Sequence, residues 1–140
     1  MSISYYNEDV AIPKFSKRDI TKWVKSVIAS EGKKTGDISF IFCSDEYLLD
    51  VNKRYLDHDY YTDIITFDYV EDLVISGDIF ISVDRITENA NTFVVSFSEE
   101  LYRILIHGIL HLLGFKDKEP YEKDIMTENE NKYIKLLINS

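Results

Sequence analysis

The sequence predicts a small α+β domain in which a mixed sheet of about four strands is covered by helices. Three observations lead there. β-prone apolar runs bounded by turn residues crowd the chain before residue 83, whereas the remainder reads with helical periodicity. At 140 residues, with two prolines and no linker, repeat or low-complexity tract, the chain reads as one domain, 1–140, large enough to bury a core. Finally, one late helix is apolar almost all round, so it belongs inside, against the sheet.

The elements follow in order. An extended piece over Ser2 to Tyr6 precedes a helix from about Ser16 to Glu31, where Ser16 can cap and Asp19 completes a box-like pattern. Ile20, Trp23, Val24, Val27 and Ile28 form the apolar face of that helix. Asp37 to Cys43 is a buried strand, rich in Ile and Phe, after which Ser44 and Asp45 open a short helix through about Tyr55. Beyond a polar, aromatic loop at Asp57 to Tyr61 come strands from Asp63 to Val70 and from Leu73 to Ser82, joined tightly at Glu71 and Asp72. Gly77 inside the second marks a bulge or a close backbone approach. Asp84 to Phe93 reads as a helix weakened by Asn and Thr. The apolar helix starts near Glu99 with Ser96 or Ser98 as its cap, and a last helix runs from about Tyr121 to Ile138.

The formal net charge of -9 argues against broad, non-specific affinity for nucleic acid. The charge is unevenly spread, however: between Lys14 and Lys34 seven cations face only Asp19 and Glu31. Lys17, Arg18, Lys22 and Lys25 point away from the apolar face of the first helix, and such a strip is either a solvated face or a phosphate-tracking surface. Cys43 stands alone, which excludes an internal disulfide and suits a reducing cytoplasm. The first ten residues lack the basic and apolar regions of a secretion signal, and no segment approaches membrane-spanning length.

The apolar helix carries the chemistry. Residues 107 to 117 read HGILHLLGFKD, which places His107 and His111 four apart, on one face and one turn from each other, so that both imidazoles reach one ion. At about 100° per residue, Glu100, Arg103, His107, His111 and Gly114 share one narrow arc. Buried imidazoles need partners, and a shared metal supplies them. Gly114 suits the left-handed position after a helix end and turns Asp117 back toward the histidines. Two histidines and one carboxylate, with a coordination position left for water, is the pattern of a catalytic zinc site rather than a structural one. The bland alternative is a pair of satisfied core histidines with a solvated aspartate.

Such a zinc lowers the pKa of its water to about 7 and polarises a carbonyl or phosphoryl oxygen, so hydrolysis is the natural reaction class. The spacing also matches the zinc-protease signature HExxHxxGxxH, but Gly108 stands where that chemistry needs its glutamate base. A carboxylate from elsewhere, Asp63 or Asp78, can assist instead, or each only bonds backbone N–H groups beside its strand. Arg103, one turn before His107, either contacts a phosphate or forms a buried ion pair with Glu99 or Glu100. His58 belongs to an exposed loop rather than to the ligand set, and Tyr60 and Tyr61 beside it either stack bases or pack.

These residues resemble a known family. HGILHLLGF is similar to the signature HGxLHLxGYDH of the YbeY-type bacterial endoribonucleases, or rRNA maturation factors, in which three histidines hold zinc. Thr62 to Phe67, TDIITF, resembles that family's TDVLSF strand, and Gly77 to Ser82, GDIFIS, resembles its GDIxIS strand. Asn52, Tyr55 and Met126 also fall where the family has the same residues, so the likeness spans over half the chain in three ordered motifs. Three positions depart: Asp117 replaces the third histidine, Lys116 the aspartate before it, and Leu56 an arginine that serves the reaction or the RNA. A carboxylate is a harder ligand that also suits manganese or iron.

The resemblance implies a metal-dependent, single-strand-specific endoribonuclease of rRNA maturation and ribosome quality control. It would work in the cytoplasm with RNA, the ribosome and ribosomal proteins as partners. Its expected metal ligands are His107, His111 and Asp117, and its expected catalytic residues are Arg103 and Asp63. Two rivals stand beside it: a metal-dependent peptidase, which Gly108 disfavours, and a non-catalytic ribosome-associated protein with a structural metal, which Leu56 favours.

Overall fold

The computed structural model describes residues 2–138. In chain order the elements are β1 (Ile3–Asn7), α1 (Lys17–Ser30), β2 (Lys34–Cys43), α2 (Asp45–Leu56), β3 (Ile64–Asp68), β4 (Val74–Ser82), α3 (Val83–Phe93), α4 (Phe97–Leu112) and α5 (Pro120–Ile138). Four of the helices begin on a serine. Ser16, Ser44, Ser82 and Ser96 each accept the backbone N–H three residues on, which satisfies one of the free donors at each helix start. Of the two caps expected for the histidine helix, Ser96 is the one used.

The strands form one mixed sheet of order β1-β2-β4-β3. β1, β2 and β4 run parallel, and β3 pairs antiparallel with β4 at the edge. Parallel neighbours need a long crossover, supplied by α1 between β1 and β2 and by α2 with β3 between β2 and β4. The hairpin from β3 to β4 closes at Glu71 and Val74, which exchange backbone hydrogen bonds, with Asp72 in a left-handed conformation.

Alternation along β4 separates two cores. Ile75, Ile79 and Ile81 face the main core beneath α1, α4 and α5, while Phe80 packs on the smaller cluster of Cys43, Leu48, Val51 and Ile65 under α2. The expected α+β architecture is therefore present, with the histidine helix against the sheet.

β2 begins three residues earlier than the apolar pattern indicates. Gly36 makes this possible, because a Cβ there would lie 2.1 Å from the Ser76 hydroxyl, and the register shifts between Thr35 and Ile38. Gly77 is a close approach: its Cβ would meet the Phe67 carbonyl at 2.6 Å and Leu112 at 2.8 Å. The bulge itself lies opposite, in β2.

Candidate metal centre

α4 is held down by its own small residue. A Cβ on Gly108 would stand 2.9 Å from Ile79 and 3.1 Å from Ile64, so this face of α4 lies flat on β4 and β3. The neighbouring His107 and its partner His111 are turned aside from that contact. Their rings meet edge to face at 4.5 Å, with the two Nε2 atoms 3.0 Å apart.

Asp117 completes the group as expected. Past Leu113, Gly114 takes φ of +101°, its N–H bonds the His111 carbonyl and the Phe115 N–H bonds the Leu110 carbonyl, each at 3.0 Å. This crossed pair of bonds is a Schellman turn, and it reverses the chain. Asp117 Oδ2 then stands 3.4 Å from both Nε2 atoms. Three donors on bonds of about 2.1 Å around a tetrahedral ion are separated by about 3.4 Å. The observed triangle of 3.0, 3.4 and 3.4 Å fits one ion bound through these three residues.

Behind His107 lies a chain of partners that the sequence pattern does not reveal. Glu130 on α5 takes a 2.6 Å hydrogen bond from His107 Nδ1, and Arg103 gives one to the other Glu130 oxygen at 3.0 Å and another to Asn131 at 2.8 Å. An ionised carboxylate only accepts, so Nδ1 carries the proton and Nε2 presents its lone pair toward His111 and Asp117. That arrangement is the usual support of a metal-bound histidine. The available signal is a glutamate among Met126, Tyr133 and Ile134, the buried face of α5. Arg103 thus pairs with Glu130 rather than with Glu99 or Glu100, a correction with a simple cause: Glu100 is buried toward Asn89 of α3.

Charge around the site favours a cation. Burial pulls the His107 imidazole down, but the Glu130 hydrogen bond together with Glu130, Asp117 and Asp63 overcomes it and raises the pKa. His111 is lowered instead, first by burial and then by the charge His107 would carry when protonated, against Asp117 and the Phe115 backbone. The Asp63 carboxyl is raised by burial, with His107 opposing, and Glu100 is raised by burial, with Arg103 opposing.

The two candidate bases separate. Asp63 immediately precedes β3, its carbonyl accepting the Ser82 N–H at 3.0 Å, and its carboxyl lies within electrostatic range of His107. Asp78 falls on the opposite face of β4 from Ile79 and bonds the Tyr69 hydroxyl, so it is no part of this site. His58 is exposed and stacked on Tyr60, and it is not one of the three donors that converge. A groove of about 490 Å³ opens beside His111, with Asn52, Leu56, His58, Tyr60 and Lys118 among its walls. The α1 cations are exposed and lie apart from it.

The class is therefore a small α+β domain with a His/His/Asp group suited to one divalent ion. Comparison with known proteins carries this further. Residues 2–137 match the family described as Endoribonuclease YbeY. A relative of that name from Parabacteroides distasonis is 57% identical over 98% of this chain and 96% of its own length. Another, from Bacteroides thetaiotaomicron, is 54% identical over 96% and 98%. A solution structure from Thermotoga maritima superposes with a TM-score of 0.67 at 27% identity, covering 97% of this chain and 89% of that one. The chain belongs to the YbeY endoribonuclease family, a class of hydrolases acting on RNA.

Proposed function

We propose that this protein is a metal-dependent endoribonuclease that cuts single-stranded RNA during rRNA maturation and ribosome quality control in the cytoplasm, with the ribosome and its proteins as partners. The observation that carries the reading is the donor triangle of His107, His111 and Asp117, supported from behind by Glu130, in a chain of this family. A divalent ion bound there would supply Lewis acidity, activating water and polarising a phosphoryl oxygen. Zinc fits the two imidazoles, and the carboxylate of Asp117 also admits manganese or iron.

The chain's own residues divide the remaining work. Asp63, half-buried and raised in pKa by desolvation, is suited to take the proton of the attacking water on its carboxylate. Arg103 is committed to Glu130 and Asn131, so its part is to hold Glu130, which in turn fixes the tautomer and angle of His107. The groove beside His111 gives RNA access from the open side. Among the described residues no helix is long and apolar enough to cross a membrane, which is compatible with a substrate met in water.

Packing at position 108 weighs against the peptidase reading. A glutamate at position 108 would enter the space already filled by Ile79 and Ile64. The test is to incubate the metal-loaded protein with a single-stranded RNA oligonucleotide and with unfolded casein. Metal-dependent RNA cleavage abolished by His107→Ala, with intact casein, is expected. Casein hydrolysis lost in His107→Ala, without RNA cleavage, would reverse the assignment, and neither activity with full metal occupancy would favour the structural-metal rival.

A further inference from the structure

The loop between α2 and β3 presents an aromatic pair to the groove, and its support is internal. Asp57 turns the chain in a left-handed conformation, after which the His58 N–H bonds the Asn52 carbonyl at 3.1 Å and Asn52 Nδ2 donates to the Tyr60 carbonyl at 2.9 Å. Asn52 is only 2% exposed, so this clamp is anchored in the fold. Above it the rings of His58 and Tyr60 stack at 5.1 Å and 24°, and the Tyr60 hydroxyl meets His58 Nδ1 at 3.1 Å. The pair is ordered by the protein yet open to solvent, Tyr60 being 55% exposed.

The next residue shows what a packed tyrosine looks like here. Tyr61 donates its hydroxyl to Glu46 at 2.6 Å and lies under the Arg85 guanidinium, so both its polar end and one ring face are used. Tyr60 and His58 instead line the groove that reaches His111, with Lys118 as the cation among the groove's walls. A rigid exposed aromatic stack beside the reacting centre, with an ammonium within the same groove, matches what an unpaired nucleobase and its phosphate require.

Building on the proposed ribonuclease reading, we propose that His58 and Tyr60 form a stacking platform for one unpaired base of the RNA substrate, with Lys118 contacting the backbone phosphate. The platform acts on binding, by fixing which nucleotide lies beside the metal ligands. His58 orients the phenol ring, and Tyr60 offers the face.

The experiment uses the metal-loaded protein and a set of 5′-labelled single-stranded RNA oligonucleotides, one unmodified and the others carrying a single abasic nucleotide at successive positions. Cleavage kinetics and equilibrium binding by anisotropy are both read. Tyr60→Ala is expected to raise KM and Kd about tenfold while kcat and metal content hold, and Tyr60→Trp is expected to restore binding. With the base removed at one position, wild type and Tyr60→Ala should bind alike. Lys118→Gln should lower the salt slope of binding by about one unit.

An unchanged Kd in Tyr60→Ala, or an equal loss on every abasic oligonucleotide, would overturn the platform. If wild type binds but does not cut any oligonucleotide, the catalytic reading fails while the binding data still decide the platform.

Discussion

The two histidines on α4 are one turn apart and differ in what stands behind them. His107 rests on a charged chain through Glu130 to Arg103 and Asn131, whereas His111 has the Phe115 backbone at the helix-ending turn and an open groove beside it. Their pKa values move oppositely, His107 up and His111 down. The difference separates two tasks: rigidity is built behind His107, and access is left in front of His111. A site that must hold an ion and still admit a polymer needs both.

Removing the rear support should show the largest effect of single changes outside the three proposed ligands. Glu130→Ala frees the His107 tautomer and leaves Arg103 with Asn131 alone, so metal affinity should fall about 10- to 100-fold, read by competition with a chromophoric chelator. An affinity equal to wild type would mean that His107 needs no such support. On the front side, Gly114→Ala forces a side chain into φ of +101°, at a cost of about 1–2 kcal/mol in urea unfolding, and it should weaken metal binding by displacing Asp117. Unchanged stability and affinity would show that the turn does not position the ligand.

Arg103→Met is one step further removed. It should lower metal affinity by only a few-fold, less than Glu130→Ala, because Glu130 keeps its bond to His107. A loss larger than that of Glu130→Ala would assign Arg103 a direct contact instead. Away from the site, the free and buried Cys43 provides a contrast. Burial, then Asp9 and the neighbouring carboxylates, push its thiol up to about 12 from an ordinary 9.0. The folded state therefore keeps a proton that the unfolded state loses across that window, so Cys43 should lower stability only as pH rises above about 9. Below that, native protein should resist iodoacetamide, and rapid alkylation at pH 8 would refute the burial argument.

The front of this site is more legible in the amino-acid sequence than its rear. The (i, i+4) histidines, Gly114 and Asp117 are local, within eleven residues, and helix spacing together with the glycine turn brings them together. Glu130 is 23 residues beyond His107 on another helix, and which carboxylate reaches Nδ1 depends on how α5 packs over α4. The same limit explains Arg103, whose nearest acidic neighbours in sequence are Glu99 and Glu100 but whose partner in space is Glu130. Asp78 is separable from Asp63 by period-two alternation against Ile79, once β4 is oriented by its apolar face. Strand limits blur where glycine acts through a neighbour: Gly36 looks like a turn residue and instead lets β2 extend along β4.

The central claim is that His107, His111 and Asp117 hold one ion, with Asp117 in the place where the resembling signature has histidine. Metal content after exhaustive dialysis of three variants tests it most directly. Asp117→Ala should retain little metal, Asp117→His should retain it with preference moved toward zinc, and His58→Ala should match wild type. Full occupancy in Asp117→Ala together with loss in His58→Ala would contradict the ligand set.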